Sequence, residues 1–482
     1  MLVFSPWAFG TTQPWAIWGM NFAGYLLGAF LLVKLFIRHW KQYPAARWDR
    51  YSTHSGLQPR QRHESVRRLT QVLGALTLAV LAFILVSALN VAANYNGDAR
   101  VFQYHPYIHW LPHSFDGQRT WFLFWMYLGL AASFWSVVDW LPGMTAAEER
   151  GRLTGGRDGG SKEKPALPGR LRLLLWVLCI NGAVLGAECI FQRASGSTKL
   201  LFLEQPKVNW DGESQFGPYA YRSNAAQYFN LLWPLCFGFW WTLQRLRGWQ
   251  SKALHGVLLC TAVMAACPII STSRGGAIVS AGMLFLAVAY LAVSGGFRFG
   301  ASPGDGASRK TTGGLILFVV VTLGLGGHFG WSTLSPRMQQ ISQGYDNREA
   351  MYEAARPMAA DYPLYGTGPG TFATVFQLYL ISTDTYWPEQ LHNDWLETRI
   401  TFGWVGFGLL LAALACVALR GFLPGGIRGS RRFVVLTWLA LGGCLIHALF
   451  DFPFQIHSTL FLFLVLCAIL FNLGGAAGGS RR

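Results

Sequence analysis

The sequence predicts an all-α, multi-pass membrane protein with about eleven transmembrane helices. The first observation is composition: of 482 residues, 52% are hydrophobic and only 13% are charged, whereas soluble globular proteins carry about 25% charged residues. The second is a series of apolar segments, each close to the roughly 20 residues that a spanning helix needs. The third is an uneven distribution of Lys and Arg between alternate loops.

Eleven apolar segments of suitable length follow one another along the chain. Aromatic residues are abundant, with 21 Trp, 34 Phe and 17 Tyr, as is typical where aromatic side chains lie at the lipid–water interfaces. We expect the spanning helices at roughly residues 15–37, 69–90, 119–141, 171–191, 226–244, 253–271, 275–293, 312–333, 396–419, 432–450 and 456–473.

The Lys and Arg residues predict how these segments are oriented. If alternate loops are cytoplasmic, those loops, with the segment edges and the C-terminal tail, hold 28 of the 39 Lys and Arg residues, and the opposite side holds the other 11. The positive-inside rule then places the N-terminus outside and the C-terminus in the cytoplasm, which requires an odd number of segments. Because Lys34 and Arg38 follow the first apolar run, we expect that run to be an uncleaved anchor.

Several other classes of function are disfavoured by the same sequence. The net charge of +16 comes from loops between apolar runs rather than from one soluble basic surface, so we predict no nucleic-acid partner. The eight cysteines lie in or beside apolar runs without metal spacing, as expected for packing residues. His105, His109 and His113 have helical spacing, but Pro106 and Pro112 interrupt that helix. We therefore predict no metal site and no cofactor.

Two Gly-rich cytoplasmic loops contain no nucleotide-binding motif. Residues 151–170 and 296–310 are rich in Gly and charged residues, which is typical of flexible linkers. We expect these loops to carry no chemistry.

The longest outer loop, residues 334–392, is different because it is not of low complexity. Long loops in compact proteins are commonly functional. Residues 346–360 have a helical apolar stripe, and Pro357 is expected to kink or end that helix. The sequence GTGPG at 366–370 predicts a turn.

Three arginines on the outer side lie in compact polar contexts. Arg222, with Asn224 nearby, precedes the fifth segment; Arg274 lies in the short turn between the sixth and seventh; and Arg348 lies in the long outer loop. Guanidinium groups bind phosphate through several donors, so together these arginines could hold a lipid diphosphate and stabilise a departing negative charge. Each arginine alone is equally compatible with a side chain that snorkels to the interface.

A histidine stands at the start of the ninth apolar segment. An imidazole titrates near neutral pH, and a helix N-terminus disfavours its cationic form, so His392 is suited to accept a proton from a hydroxyl. Asn393 and Glu397 lie beside it, and Asp451 occupies the short turn between the last two segments. Polar residues at membrane depth usually mark function, although a tolerated interfacial histidine and a helix-capping aspartate are the alternatives.

Four stretches of this chain, in order, resemble motifs of the O-antigen ligase/polymerase superfamily of bacterial membrane glycosyltransferases. They are FGPYAYRSNAAQYFNLLWPL at 216–235, STSRGGAIVSAG at 271–282, NREAMYEAARPMAADYPLYGTGPGTF at 347–372 and HNDWLETRITFG at 392–403. The likeness covers roughly residues 200–480, and the N-terminal half matches by topology and by its aromatic start only. One departure is YRSN, where relatives often have Asn-Arg-Asn, so Asn224 is retained and the first Asn is not.

The resemblance implies a fold similar to the class C glycosyltransferases and a metal-independent reaction. It implies a donor glycan on undecaprenyl diphosphate at the periplasmic face of the bacterial inner membrane, with membrane lipids around the protein. An acceptor hydroxyl, on a lipid or a glycan, would attack with inversion. We expect His392, Arg222, Arg274 and Arg348 to be catalytic, with His392 on the acceptor and the arginines on the diphosphate. We expect Asn224, Asn393, Glu397 and Asp451 to bind substrate.

The resemblance also predicts the division of the chain and leaves the acceptor open. Residues 1–200 would form N-terminal membrane helices, and residues 201–482 an O-antigen ligase-like catalytic membrane domain that includes the loop 334–392. The acceptor could be lipid A–core in a ligase, a lipid-linked repeat in a polymerase, or a protein hydroxyl in an O-oligosaccharyltransferase. The alternatives of another class are a transporter or flippase for a lipid-linked sugar and a non-catalytic scaffold. A transporter is expected to have charged residues at mid-membrane and internal repeats. The sequence shows no internal repeat, and its polar groups cluster at one membrane surface.

Overall fold

A computed structural model describes residues 1–43, 59–153, 167–247, 252–296, 306–380, 388–423 and 431–474. Most of these residues are helical. The helices of the first part are α1 (Phe4–Trp7), α2 (Pro14–Trp40), α3 (Pro59–Leu89), α4 (Gly117–Trp140), α5 (Ala146–Leu153) and α6 (Gly169–Ser195). An antiparallel pair, β1 (Ala93–Asn96) and β2 (Val101–Tyr104), lies between α3 and α4.

The described residues of the second part of the chain form ten further helices. They are α7 (Arg222–Arg247), α8 (Lys252–Ile270), α9 (Arg274–Leu291), α10 (Gly306–Gly326), α11 (Ser332–Gln339), α12 (Ile341–Asp361), α13 (Phe372–Phe376), α14 (Asp394–Phe422), α15 (Arg431–His447) and α16 (His457–Leu473). Much of the linkers predicted at 151–170 and 296–310, and the two arginines at 481–482, lie outside the described residues.

All eleven predicted segments coincide with helices, and the chain is a multi-pass membrane protein. In the described part of the chain, eight helices are long and apolar enough to cross a bilayer. The other three predicted segments correspond to α7, α15 and α16. The last two helices have only 17 residues each, whereas α7 has 26 residues but contains amides and several Trp.

Helix α7 is tolerated as a polar membrane helix because it lies at the centre of the bundle. Every residue from 223 to 244 is buried, and α7 packs against α6, α8, α9, α15 and α16. Its Asn230 is satisfied inside the protein, since its side-chain nitrogen donates to the Gly276 carbonyl at 3.0 Å. Backbone and side-chain polar groups must be paired internally where no water is available. Helix α7 can therefore be less apolar than the other membrane helices because it contacts protein rather than lipid.

The segment predicted at 396–419 is a helix that breaks once, at Gly403. This glycine has φ +61° and ψ −172°, a conformation that is essentially restricted to glycine. The freed backbone groups bond to the outer loop: Thr367 N donates to Ile400 O at 3.0 Å and Trp404 N donates to Pro363 O at 2.9 Å. The break thus fastens the outer loop to α14, close to the start of that helix.

The long outer loop contains the helix that its apolar stripe predicts. Residues 346–360 lie within α12, which passes Pro357 and ends at Asp361. The predicted turn at 366–370 is confirmed, because Gly366, Gly368 and Gly370 all have positive φ. Together, α11, α12 and α13 give most of this loop a defined structure.

The break in α14 gives a test of the fold. Replacing Gly403 by Ala should destabilise the protein by about 1–3 kcal/mol from backbone strain alone, and by more because the new Cβ would collide with the Leu364 carbonyl. Thermal melting of the purified protein in detergent measures this loss. Gly408→Ala is the matched control on the same helix, since its Cβ would enter open space. Equal melting temperatures for both variants would contradict the structure.

Candidate active site

His392 lies in a strained turn immediately before α14. Its φ is +60°, a left-handed conformation that is uncommon for residues other than glycine. Strain of this kind persists only where the surroundings enforce it, and it is concentrated at functional sites. Here the Tyr352 hydroxyl of α12 donates to the His392 carbonyl at 2.7 Å, and Asn393 begins the helix as its N-cap. The imidazole is therefore presented by a fixed backbone.

The imidazole of His392 is paired with the carboxylate of Asp451. Nδ1 of His392 lies 3.2 Å from Oδ1 of Asp451, and the two side chains are 21% and 3% exposed respectively. Asp451 belongs to the turn between α15 and α16, so this contact joins two parts of the chain 59 residues apart. When Nδ1–H donates to a carboxylate, Nε2 is the nitrogen that can accept a proton. The pair therefore has the arrangement of a general base and its orienting acid.

Asp451 is ionised because several groups surround its buried carboxylate. The Ser223 hydroxyl donates to Oδ2, and Nε2 of His447 lies 3.7 Å from the same oxygen. Burial opposes the charge, but His392, His447 and the positive charge of Arg348 hold the pKa of Asp451 well below its ordinary value. A permanently charged carboxylate can stabilise an imidazolium next to it.

Arg348 of α12 docks on the same turn. It donates one hydrogen bond to the Phe450 carbonyl and another to the Tyr221 hydroxyl at 3.4 Å. Burial opposes its charge, yet the Asp451 carboxylate and Tyr221 raise the pKa of Arg348 above its ordinary value. Arg348 is thus a fixed cation that compensates the buried Asp451 carboxylate.

Two aromatic rings enclose the imidazole. The Phe452 ring lies 4.7 Å from the His392 ring, and the Tyr221 ring lies 5.9 Å from it, measured between centroids. Tyr221 and Phe452 themselves stack at 5.5 Å with an interplanar angle of 10°. Burial and the nearby Asp451 carboxylate raise the pKa of Tyr221, so its hydroxyl stays neutral. These rings restrict the imidazole to one orientation.

Arg222 and Arg274 are each next in sequence to a serine whose hydroxyl belongs to the hydrogen-bonded network around Asp451. Ser223, which contacts Asp451, accepts a hydrogen bond of 3.1 Å from the Ser273 hydroxyl, and Ser273 caps the N-terminus of α9 through Gly276 N. Arg222 and Arg274 are the first residues of α7 and α9. The helix starts therefore bring both arginines to the side of the bundle where His392 lies.

The guanidinium groups of these two arginines each donate to a loop carbonyl. Nη1 of Arg222 donates to Glu213 O at 2.7 Å, and Nη1 of Arg274 donates to Gln340 O at 2.7 Å. In the described residues, neither side chain has a carboxylate within 4.0 Å. Both keep further donors for an anionic group.

Three of the four predicted substrate-binding residues, Asn393, Glu397 and Asp451, lie beside His392. Asn393 accepts a hydrogen bond from Leu396 N at 3.0 Å, and the buried Glu397 accepts one from Leu391 N at 2.8 Å. Asp451 contacts His392 itself, while Asn224 is buried with an Oδ1 that has no partner among the described residues. Asn393, Glu397 and Asp451 thus fix the surroundings of the imidazole, and direct contact of these four residues with a substrate stays a prediction.

Sequence reasoning missed several residues of this arrangement. Asp394 is buried and accepts hydrogen bonds from Phe454 N at 2.7 Å and from Gln455 Nε2 at 3.2 Å, so it ties α14 to the turn that holds Asp451. His447 precedes Asp451 by four residues, a helical spacing that could have indicated contact. Tyr221 and Ser223 flank Arg222 in the sequence and were overlooked because neither carries charge.

Comparison with known families finds a match to part of the chain. Residues 259–411 match a family model described as O-antigen ligase. This segment of the chain is therefore similar to that family. This confirms the resemblance to the O-antigen ligase/polymerase superfamily, and glycosyl transfer is the activity that the family implies. Separate searches of curated proteins and of solved structures found no match to the chain.

The O-antigen ligase match covers Arg274, Arg348 and His392 but ends before Asp451 and begins after Arg222. The structure joins those two residues to the matched region through the Ser223–Ser273 and His392–Asp451 contacts. The candidate site is therefore larger than the matched segment.

The depressed pKa of Asp451 leads to a prediction about stability. Because its pKa is lower in the folded protein than its ordinary value of 3.8, the ionised carboxylate stabilises the fold above about pH 4 and ceases to do so as the pH falls through the folded pKa. Asp451→Asn should therefore lower the melting temperature to a similar extent at pH 5 and pH 7. Removing one member of a buried charged set costs about 3–5 kcal/mol.

The control for this experiment is Asp98→Asn, in an exposed turn of the β1–β2 hairpin. Its melting temperature should stay within about 1 °C of wild type, as is usual for surface substitutions. An Asp451→Asn protein that melts like this control would show that the carboxylate does not carry the described interactions.

Proposed function

We propose that this protein transfers a glycan from an undecaprenyl-diphosphate carrier to an acceptor hydroxyl at the periplasmic face of the bacterial inner membrane, as an O-antigen ligase or polysaccharide polymerase. The observation that carries the proposal is the set of side-chain contacts that runs from Ser273, the residue before Arg274, through Ser223 and Asp451 to His392. It supports a site in which His392 accepts a proton and the arginines bind an anion at one end of the bundle.

The acceptor hydroxyl would be activated by His392. Its oxygen forms a bond to the anomeric carbon of the donor sugar while the bond from that carbon to the phosphate oxygen breaks. The proton of the hydroxyl passes to Nε2 of His392, and the adjacent Asp451 carboxylate stabilises the imidazolium that results. A single displacement of this kind inverts the anomeric centre.

The leaving diphosphate would be held by arginines and helix termini. Arg222 and Arg274 begin α7 and α9, so each guanidinium lies at a helix N-terminus, where the macrodipole and free backbone N–H groups favour anions. Charge-assisted donors of this kind stabilise negative charge as it develops on the leaving group, and we propose that they do so here without a metal ion.

The orientation of the chain in the membrane and the roles of its two parts are also proposals. The charge bias of the loops supports a periplasmic N-terminus and a cytoplasmic C-terminus. We propose that residues 201–482 carry the reaction and that the helices of residues 1–200 support them. Two packing contacts favour this, because α3 packs against α14 and α4 packs against α16.

Two other activities are weaker candidates. A protein O-oligosaccharyltransferase would use the same donor chemistry, and only the acceptor would differ. A transporter or flippase for a lipid-linked sugar is disfavoured because the site residues lie at helix ends rather than along a mid-membrane path.

Reconstitution with a labelled undecaprenyl-diphosphate glycan tests the proposal. His392→Ala and Arg274→Ala should each reduce transfer by at least about a hundredfold, since a general base alone contributes roughly 10²–10⁴ in rate. His109→Ala, an exposed histidine in the loop before α4, is the control and should transfer normally. Retained turnover in both site variants, with folded protein, would refute the assigned roles.

The same assay, with a choice of acceptors, identifies the sub-function. Lipid A–core, a second lipid-linked repeat and a peptide hydroxyl distinguish ligase, polymerase and protein transferase respectively. Movement of intact donor across vesicles without any transfer product would support the flippase instead.

A further inference from the structure

A further arginine, Arg337, lies on α11, the helix at the beginning of the long outer loop. A π-helical turn at Gly327–Trp331 joins α10 to α11. Such a turn accommodates an extra residue and so changes the direction in which all later side chains project. These π-turns occur frequently at functional sites, which draws attention to the helix that follows.

Two glycines bring this helix onto the end of α8. A Cβ at Gly330 would lie 2.7 Å from Ile270 Cα and 2.8 Å from Ile269 O, and a Cβ at Gly326 would lie 3.0 Å from Ile269 Cδ1. Small residues four apart let helix backbones approach closely in membranes. Ile270 is the last residue of α8, so α11 is held beside the turn that leads to Arg274.

The guanidinium of Arg337 belongs to the same electrostatic cluster as two arginines of the candidate site. Its charge interacts with those of Arg274 and Arg222, and also with Tyr221. Arg274 is tied to the same segment, because it donates to the carbonyl of Gln340, three residues after Arg337. Arg337 is half-buried, and its Nε is buried without a hydrogen-bond partner among the described residues.

A cluster of this kind is costly without an anion. Three guanidinium groups repel one another, and a buried unpaired donor costs free energy. The acidic residues that interact with Arg337 are Glu213 and Asp211, which are exposed and form no ion pair within 4.0 Å in the described part of the chain. Arg348 differs, because the Asp451 carboxylate already compensates its charge.

We propose that Arg337 is a binding residue for the diphosphate, acting with Arg222 and Arg274 on the two phosphoryl groups, while Arg348 holds the Asp451 turn. A diphosphate offers enough oxygens for three planar, multi-donor groups, whereas a monophosphate does not fill them all. This inference rests on the proposed function and adds a selectivity for diphosphate over monophosphate. The alternative is a purely structural arginine that complements the dipole at the C-terminal turn of α11.

Binding of two lipids to the protein in nanodiscs tests the inference. Undecaprenyl diphosphate and undecaprenyl monophosphate are titrated against wild type, Arg337→Gln and Arg337→Lys. We expect Arg337→Gln to weaken diphosphate binding on the order of tenfold, as for the loss of a charge-assisted contact, and to change monophosphate binding much less. Arg337→Lys should be intermediate, because it keeps the charge but loses the planar fork.

Arg356→Gln is the matched control, since Arg356 is an exposed arginine on the neighbouring helix α12 that pairs with Glu349 at 2.8 Å. It should leave both affinities unchanged. Competition by inorganic pyrophosphate and by phosphatidylglycerol vesicles shows whether the site takes a diphosphate or any anionic lipid headgroup. Equal displacement by both competitors would overturn the diphosphate selectivity.

The outcomes separate the inference from the proposed function. If wild type prefers diphosphate and Arg274→Gln loses that preference while Arg337→Gln retains it, the role of Arg337 is wrong and the proposed donor stands. If wild type shows no preference for diphosphate, the proposed donor itself fails. If Arg337→Gln weakens both lipids equally and also lowers the melting temperature, Arg337 is structural and the inference is overturned.

Discussion

The buried carboxylate of Asp451 is the constraint on which the candidate site depends. A charge removed from water must be fully paired, or the fold loses several kcal/mol. Here the partners come from four parts of the chain: Ser223 on α7, His392 before α14, His447 on α15 and the charge of Arg348 on α12. Satisfying one carboxylate therefore aligns the ends of helices that are distant in sequence, and those ends carry the residues expected to act on substrate.

The membrane setting explains why the supporting structure is built from backbone interruptions and close contacts. Hydrogen-bonding groups without water must find partners within the protein, so the break at Gly403 is tolerated only because the loop near residues 363–368 satisfies it. The same break holds the outer loop, and with it Arg348, against α14. Similarly, Gly326 and Gly330 seat α11 on α8 and bring Arg337 to the start of α9. The break in α14 and the close contact between α11 and α8 thus each help to position an arginine.

The arginines divide into two groups by their surroundings. Arg348 is compensated by Asp451 and is fixed to the Phe450 carbonyl and Tyr221. The charge of Arg337 opposes those of Arg222 and Arg274, and the latter two each donate to a loop carbonyl. We propose that their positive charge is available to a ligand. Arg348, whose charge is compensated, lies next to the proposed base His392, and the three other arginines form a separate group. This arrangement suits a reaction in which His392 accepts a proton while the arginines bind the departing anion.

The sequence by itself determined the placement of the apolar helices, the helix at 346–360 and the resemblance to the O-antigen ligase/polymerase superfamily, because apolar length, helical periodicity and short motifs are local properties. It also singled out His392, Arg222, Arg274 and Arg348. Only the tertiary structure decided which groups meet: that Asp451 pairs with His392, that Glu397 and Asn393 hold the backbone, and that α14 breaks at Gly403. The His392–Asp451 contact joins residues 59 positions apart, and residues 363–368 of the outer loop satisfy the break at Gly403. Without homologous sequences, no local pattern encodes them.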